Sequence, residues 1–504
     1  MSEASIAGTE AAVERPGEVW VAETELKAGA LGLPGAVMQN ITHIAPGIAA
    51  LFFTPFVVSL SGAHAPLAYL IGFFVVLMLG WCLVQLARYL PSAGGYYTYV
   101  SRTVHPRAGF LTAWTFTFYS PLVTGPVCAY FGLILENVLE DHYGWGFPWW
   151  AFVLIAVPTI ALLSYLGIEF SVRAIVILGT LEILIVLALA LSGLANPGPG
   201  GFTFRAFDYG FNPGDIATGS GFALAAVFTV QGLTGWEAAA PLAEETENPR
   251  RNVSIAAMSS ITIIGLLLIL AIWGQIIGWG TDDLTKLPES ETLPGLVLGE
   301  RLWGDAWFVV LAALFSSSIA VCLATQNVAT RMWYRMGATG ALPRVVATLH
   351  PTRKTPVVAV GIQFLLALGL GLPAAWFVGP DTFFFLMQGL VLVLAVIFVY
   401  AMANLGVFLY YWRERRDEFN PIFHFVFPFV TTGVLAYALV RSFQPFPPEP
   451  YKWAPLIVGL WMVVGIAVLV VLKRRGREDW LAKAGEIVAE RQETPEEAAH
   501  RPVL

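Results

Sequence analysis

The chain has 504 residues, of which 57% are apolar and only 12% charged, with a mean hydropathy of +0.69. To bury that much apolar surface in water would take several domains joined by polar linkers, yet charges vanish for twenty or more residues at a time, so the expected solvent is lipid. The net charge of −7 says little as a total and calls for no nucleic-acid partner; the position of each charge relative to the apolar stretches carries the information.

The first 27 residues contain several acids and no apolar core with a cleavage site, so residues 1–35 read as a cytoplasmic tail and the first membrane helix as the insertion signal. A spanning helix needs roughly 20 mostly apolar residues. Stretches that meet this fall near 36–61, 65–89, 107–136, 147–167, 172–195, 217–243, 253–279, 306–335, 356–379, 382–411, 421–441 and 453–473. They predict an all-α membrane protein with twelve transmembrane helices, a core over 36–412, two further helices over 413–474, and a polar cytoplasmic tail over 475–504 with helical character around Glu478 to Glu490.

With the amino terminus inside, all but five of the 28 Lys and Arg fall on the cytoplasmic side, among them Arg102, Arg107, Arg250, Arg251, Arg344, Arg353, Lys354, Arg413, Arg415 and Arg416. The five outside are Arg205, Lys286, Arg301, Arg441 and Lys452. An odd number of spans would scramble this partition, so the bias supports both the count and a multi-pass cell-membrane orientation with both termini cytoplasmic. Cys82, Cys128 and Cys322 each sit in an apolar run without CxxC spacing and read as packing residues, not as a disulfide or metal cluster. No metal or cofactor is expected.

Two spans are interrupted. The first contains Ile41-Thr42-His43-Ile44-Ala45-Pro46-Gly47-Ile48, where Pro46 cannot donate to the helix ladder. The sixth contains Gln231-Gly232-Leu233-Thr234-Gly235-Trp236-Glu237, with two glycines three apart and an acid close behind. If spans one to five and six to ten form two halves, the breaks occupy corresponding places, which is the sequence pointer to a midplane binding site in inverted-repeat transporters. Half-helix N-termini there can hold a carboxylate, and free carbonyls an ammonium or a metal cation. The competing reading is a pair of ordinary kinks.

Three further stretches stand out: Leu90-Pro91-Ser92-Ala93-Gly94-Gly95-Tyr96-Tyr97; Gly235-Trp236-Glu237 through Glu244-Glu245-Thr246-Glu247-Asn248-Pro249-Arg250-Arg251-Asn252; and Arg331 with Gly340-Ala341-Leu342-Pro343 and Thr355-Pro356. In these the chain resembles the amino acid–polyamine–organocation (APC) family of permeases: the first is similar to the family's P-x-x-G-G-x-Y segment, the second to its sixth-helix signature and the third to the segment closing its eighth helix. The resemblance implies a LeuT-type fold, a 5+5 inverted repeat plus two peripheral helices. It also implies a substrate site formed by Ala45, Pro46, Gly47 and Ile48 of the first span and Gln231, Gly232, Leu233, Thr234 and Gly235 of the sixth. Two positions depart from better-known members: Gln231 stands where several exchangers have an aromatic gate, and Glu182 where many have a Lys.

An acid at bilayer depth costs on the order of 3 kcal/mol and usually faces a cavity or a partner. Glu182 reads as a coupling group that exchanges a proton or binds a cation, or as a structural hydrogen bonder. Glu237 reads as an amine ligand, proton relay or tie to the broken segment, or as a cap for the inner half of that helix. Glu244 and Glu245 stand near Arg250 and Arg251 and read as an inner-gate ion-pair network or a solvated face. Ser316 and Ser317, with carbonyls near Ala45, form a candidate sodium site or ordinary helix-packing contacts. His43 reads as a titrating group or a packing residue, and Tyr96, Tyr97 and Trp236 as path-lining aromatics or ordinary membrane ones.

A membrane enzyme would need clustered His, Asp or Cys, and the seven His are scattered without HxxxH or HExxH spacing. No GxxxxGK[ST] loop or channel-like filter repeat is present. The function expected is therefore secondary active transport of amino acids or related amines by alternating access, coupled to H+ or Na+. The alternatives are an exchanger without ion coupling or a transporter-like nutrient receptor.

Overall fold

Inside hydrocarbon every peptide N–H and C=O needs an internal partner, and this chain meets the requirement with helices. The computed structural model describes residues 25–210, 219–290, 293–444 and 446–487; among them no strand forms beyond two isolated bridges, Leu31 with Thr246 and Leu349 with Pro356. The first expected span is three pieces, α1 (Leu33–Ile44), α2 (Pro46–Leu51) and α3 (Phe53–Ser61), followed by α4 (Ala65–Ala87) and the short α5 (Tyr96–Thr103). Then come α6 (Pro106–Tyr143), α7 (Trp149–Tyr165) and α8 (Ile168–Ala195). The sixth span is represented by α9 (Gly219–Gly232), after which the helix gives way to turns, and α10 (Pro249–Trp279) follows. Next are α11 (Pro294–Trp303), α12 (Phe308–Thr339), α13 (Val357–Gly369), α14 (Gly371–Val378) and α15 (Pro380–Phe384). A π-helical turn over Phe385–Val391 leads into α16 (Leu392–Arg413), and α17 (Phe427–Arg441), α18 (Ala454–Arg474) and α19 (Trp480–Lys483) are the last α-helices among the described residues.

Among the described residues nine helical stretches are long and apolar enough to cross a membrane. The expected spans that fall outside these nine are the two interrupted ones and the 17-residue α7. Several boundaries move from their expected places. The turn between α7 and α8 is at Gly167, whose φ of +112° suits a residue without Cβ, so α8 starts at Ile168 and not near 172. The ninth span bends at Leu370, and the tenth carries the π-helical turn, neither of which an apolar run announces.

The distribution of side chains inverts that of a soluble protein. Phe377, Ile177, Leu365 and most of α18 face outward, whereas Gln39, Asn40, Glu182, Glu237, Glu245 and Arg331 are buried. Helices approach closely where residues are small: a Cβ added to Gly274 of α10 would lie 2.4 Å from the Ala190 carbonyl of α8. Both described chain ends lie on one face. Leu26 packs with Ala93, Tyr334 and Leu349, and the Arg335 guanidinium donates to the Glu486 carbonyl at 2.9 Å. The carboxyl-terminal segment is helical only over Trp480–Lys483 of the expected 478–490, and residues 488–490 lie outside the described residues. That helix is docked, with Trp480 buried and Glu478 paired with Arg107.

Candidate functional site

The first break is made by Ala45, which adopts left-handed backbone (φ 58°, ψ 68°) between α1 and α2. A non-glycine residue there costs roughly 1–2 kcal/mol, so the surroundings must hold it. Its N–H bonds the Ile41 and Thr42 carbonyls, both at 3.2 Å, which closes α1. The second break follows α9. Gly235 has φ +120°, and a Cβ there would stand 2.6 Å from the carbonyl carbon and oxygen of His43. The two breaks therefore touch each other, and only glycine allows that approach at position 235.

Beside this contact lies a cavity of about 100 Å³, where one water needs about 10–15 Å³ on the same measure. His43, Ile44, Ala45 and Ile48 line it from the first span, Gln231, Thr234 and Gly235 from the sixth, Thr325 from α12, and Phe384 and Gln388 from the tenth. Pro46, Gly47, Gly232 and Leu233, also expected at the site, are not part of its wall. Leu233 is buried in the core, and a Cβ on Gly232 would meet only the Tyr69 hydroxyl at 3.5 Å.

The start of α2 is fully partnered. Pro46 has no N–H; Gly47 donates to Glu182 Oε2 at 3.0 Å; Ile48 donates to Ser317 Oγ at 3.2 Å; Ala49 donates to the Ala45 carbonyl at 2.8 Å. Glu182 Oε1 is buried and has no protein partner. Ser316, expected beside Ser317, instead donates to the Leu178 carbonyl of α8 at 2.7 Å. Glu237 ties the second break together: its Oε2 accepts the Gly235 N–H at 3.1 Å and its Oε1 the Tyr400 hydroxyl at 2.9 Å.

Away from the cavity, toward the face that bears both chain ends, the break-bearing segments are sealed. Glu245 forms a forked ion pair with Arg331, Oε2 to Nε at 2.7 Å and Oε1 to Nη2 at 3.2 Å, both side chains essentially without exposure. This corrects the expectation that Arg250 and Arg251 serve Glu245, because the α12 guanidinium supplies the planar fork a carboxylate prefers. Glu244 accepts the Ala93 N–H at 3.0 Å, Asn40 Oδ1 accepts the Ala239 N–H at 2.6 Å, and Leu31 exchanges backbone bonds with Glu245 and Glu247. Tyr97 bonds Thr339 at 3.0 Å and Trp236 packs on Tyr400, so neither faces the cavity, nor does Tyr96. On the opposite face an aromatic vestibule of about 750 Å³ opens between Phe52, Phe56, Phe385 and Tyr451 and shares Phe53, Gln231, Phe384 and Gln388 with the cavity.

Sequence reasoning missed Gln388. Its Nε2 donates to the Leu122 carbonyl at 2.6 Å, and its own carbonyl, in the π-helical turn, accepts from Gln231 Nε2 at 2.8 Å. A lone amide in an apolar run is the signal that could have found it, by the rule that singled out the buried acids.

Residues 35–480 match the amino acid permease family. A low-affinity putrescine importer of Escherichia coli is 25% identical over 469 residues, covering 89% of this chain and 94% of the relative. A serine/threonine exchanger of Bacillus subtilis is 23% identical, covering 71% of this chain and 78% of the exchanger. A gamma-aminobutyric acid permease of Escherichia coli is 25% identical, covering 60% of this chain and 64% of the permease. These relatives are transporters and not enzymes, and the chain belongs with them as a multi-pass membrane protein of the amino acid permease family.

Proposed function

We propose that this chain is a secondary active transporter of amino acids or related amines that works by alternating access. In this reading twelve spans form a LeuT-type 5+5 inverted repeat plus two peripheral helices, with both termini cytoplasmic. The observation that carries the proposal is the contact between the two breaks, Gly235 against His43, beside a small polar cavity. The vestibule on one face and the Glu245–Arg331 pair toward the other support a state open outward and latched inward. Relatives named for putrescine, serine and threonine, and gamma-aminobutyric acid support a small amine or amino acid as cargo.

Glu182 is the proposed coupling group. Its Oε1 has no partner, and its Oε2 holds α2, so a proton or a sodium ion arriving at this carboxylate acts directly on the first break. Ser317 stands close enough to share such an ion, with the Ala45 region, whereas the Ser316 hydroxyl hydrogen is engaged elsewhere. Glu237 is proposed as a positioning residue that sets the shape of the second break.

Uptake into proteoliposomes under imposed pH and sodium gradients tests this, with Glu182→Gln and Glu237→Gln beside the parent. The expected result is gradient-driven accumulation in the parent that Glu182→Gln loses. Unchanged gradient dependence in both variants removes the coupling claim. Flux that needs a preloaded counter-substrate identifies an exchanger, a reading that the B. subtilis relative favours. Saturable binding without flux identifies a receptor.

A further inference from the structure

We propose that a phospholipid with an anionic headgroup binds in the groove between α4 and α10, its acyl chain along the groove and its phosphate held by Arg88, Arg250 and Arg251. This groove shares no lining residue with the cavity between the breaks, so the site stands whatever cargo that cavity takes.

The helices α4 and α10 lie side by side and approach closely at Gly80, where an added Cβ would stand 2.3 Å from the Ile261 Cδ1. Beside that crossing is an open groove of about 550 Å³, walled by Val84 of α4 and by one face of α10 from Ser254 to Ile263. Nine rises of an α-helix make about 14 Å, close to half of a hydrocarbon layer roughly 30 Å thick, so the groove runs the depth of one leaflet, as an acyl chain does. Its hydroxyls turn their hydrogens back onto their own helix: Ser254 donates to the Arg250 carbonyl at 3.0 Å, Ser259 to the Ile255 carbonyl at 2.7 Å and Thr262 to the Met258 carbonyl at 2.8 Å. A wall whose donors are already spent suits hydrocarbon.

Three cations close the groove at the end nearer the chain termini. Residues four apart stand one above the other on a helix, so Arg250 continues the row of Ser254 and Met258, Arg251 that of Ile255 and Ser259, and Arg88 that of Val84. All three Arg are exposed, and among the described residues none of them forms an ion pair. The nearby acids are committed elsewhere. Glu245 takes Arg331, Glu418 takes Arg415 and the Tyr89 hydroxyl, and the Glu247 carboxylate lies against Gly32. Uncompensated Arg at the membrane surface draws an anionic headgroup, and a planar guanidinium grips phosphate through paired hydrogen bonds. Because α4 follows the first broken span and α10 the second, a lipid seated here bridges the helices that continue from both breaks.

Native mass spectrometry and thermal shift of the purified full chain in detergent test this, with phosphatidylglycerol, phosphatidylcholine and glycerol phosphate as probes. Phosphatidylglycerol is expected to stay bound, and to raise the melting temperature, at concentrations where phosphatidylcholine does neither. Arg250→Gln with Arg251→Gln is expected to lower the ratio of phosphatidylglycerol to phosphatidylcholine affinity roughly 25-fold, about fivefold for each cation lost. Ser259→Phe keeps all three Arg, fills the groove, and is expected to abolish the bound lipid. Equal retention of the two lipids by the parent, or a ratio unchanged in the double variant, overturns the proposal. Retention that survives Ser259→Phe overturns the groove as the seat of the chain. Glycerol phosphate matching phosphatidylglycerol overturns the lipid in favour of a free anion, and a lipid-free dimer that Ser259→Phe dissociates gives the groove to a second copy instead.

Discussion

Gly232 and Gly235 stand three residues apart in one broken helix, and the sequence treats them alike, yet their surroundings differ. A Cβ at 235 enters the His43 carbonyl at 2.6 Å from a backbone with φ +120°, whereas a Cβ at 232 meets one hydroxyl at ordinary distance. Gly235→Ala should therefore abolish uptake and lower the melting temperature, with a cost of several kcal/mol, about 1–3 from backbone strain alone. Gly232→Ala should retain both, and equal behaviour of the two variants in a transport assay would refute the contact between breaks. The Glu245–Arg331 pair makes a second residue-scale prediction. Arg331→Met alone leaves a buried carboxylate unpaired and should destabilise by about 3–5 kcal/mol, while Arg331→Met with Glu245→Leu should recover much of the loss. Denaturation of the parent and both variants in detergent reads this directly. The acids themselves were legible in the sequence, because a carboxyl in an apolar run demands an explanation. Their partners were not: Arg331 is 86 residues from Glu245 and Gly47 is 135 from Glu182, and nothing local encodes such pairings.

At the scale of elements, the breaks were the most legible feature, since Pro46 and the Gly232/Gly235 pair interrupt otherwise continuous helices. What the sequence did not reveal is that the left-handed residue of the first break is Ala45, not Gly47. Ala45→Gly should leave stability within about 1 kcal/mol, because relief of αL strain offsets the greater freedom of glycine in the unfolded chain. Ala45→Val should destabilise clearly, since a β-branched side chain resists this backbone and position 45 is buried. Thermal unfolding of both variants checks the difference in magnitude. The π-helical turn at Phe385–Val391 was invisible because it changes hydrogen-bond register without changing composition. It is nonetheless the element that brings Gln388 to Gln231 and links the cavity to the vestibule.

For the whole molecule, hydropathy alone was enough to place the chain in a membrane and to locate the nine long apolar helices among the described residues, because a bilayer tolerates so few backbone arrangements. The same criterion falls short at the interrupted spans, where helices too short to qualify by length carry the candidate site. An apolar exterior thus surrounds a polar interior in which two broken helices meet, sealed toward the chain ends and approached through an aromatic vestibule. This meeting point is the proposed place where cargo binds. Cys82, Cys128 and Cys322 are all buried, so a cysteine placed at Thr234 can report on the cavity without removal of the native thiols. The rate at which Thr234→Cys reacts with a membrane-impermeant thiol reagent, added on the face opposite the chain ends and measured with and without putrescine, is the most direct test. Reaction from that face and a clear slowing by saturating putrescine are expected; a rate indifferent to the amine, or no reaction from that face, would contradict cargo binding at this point.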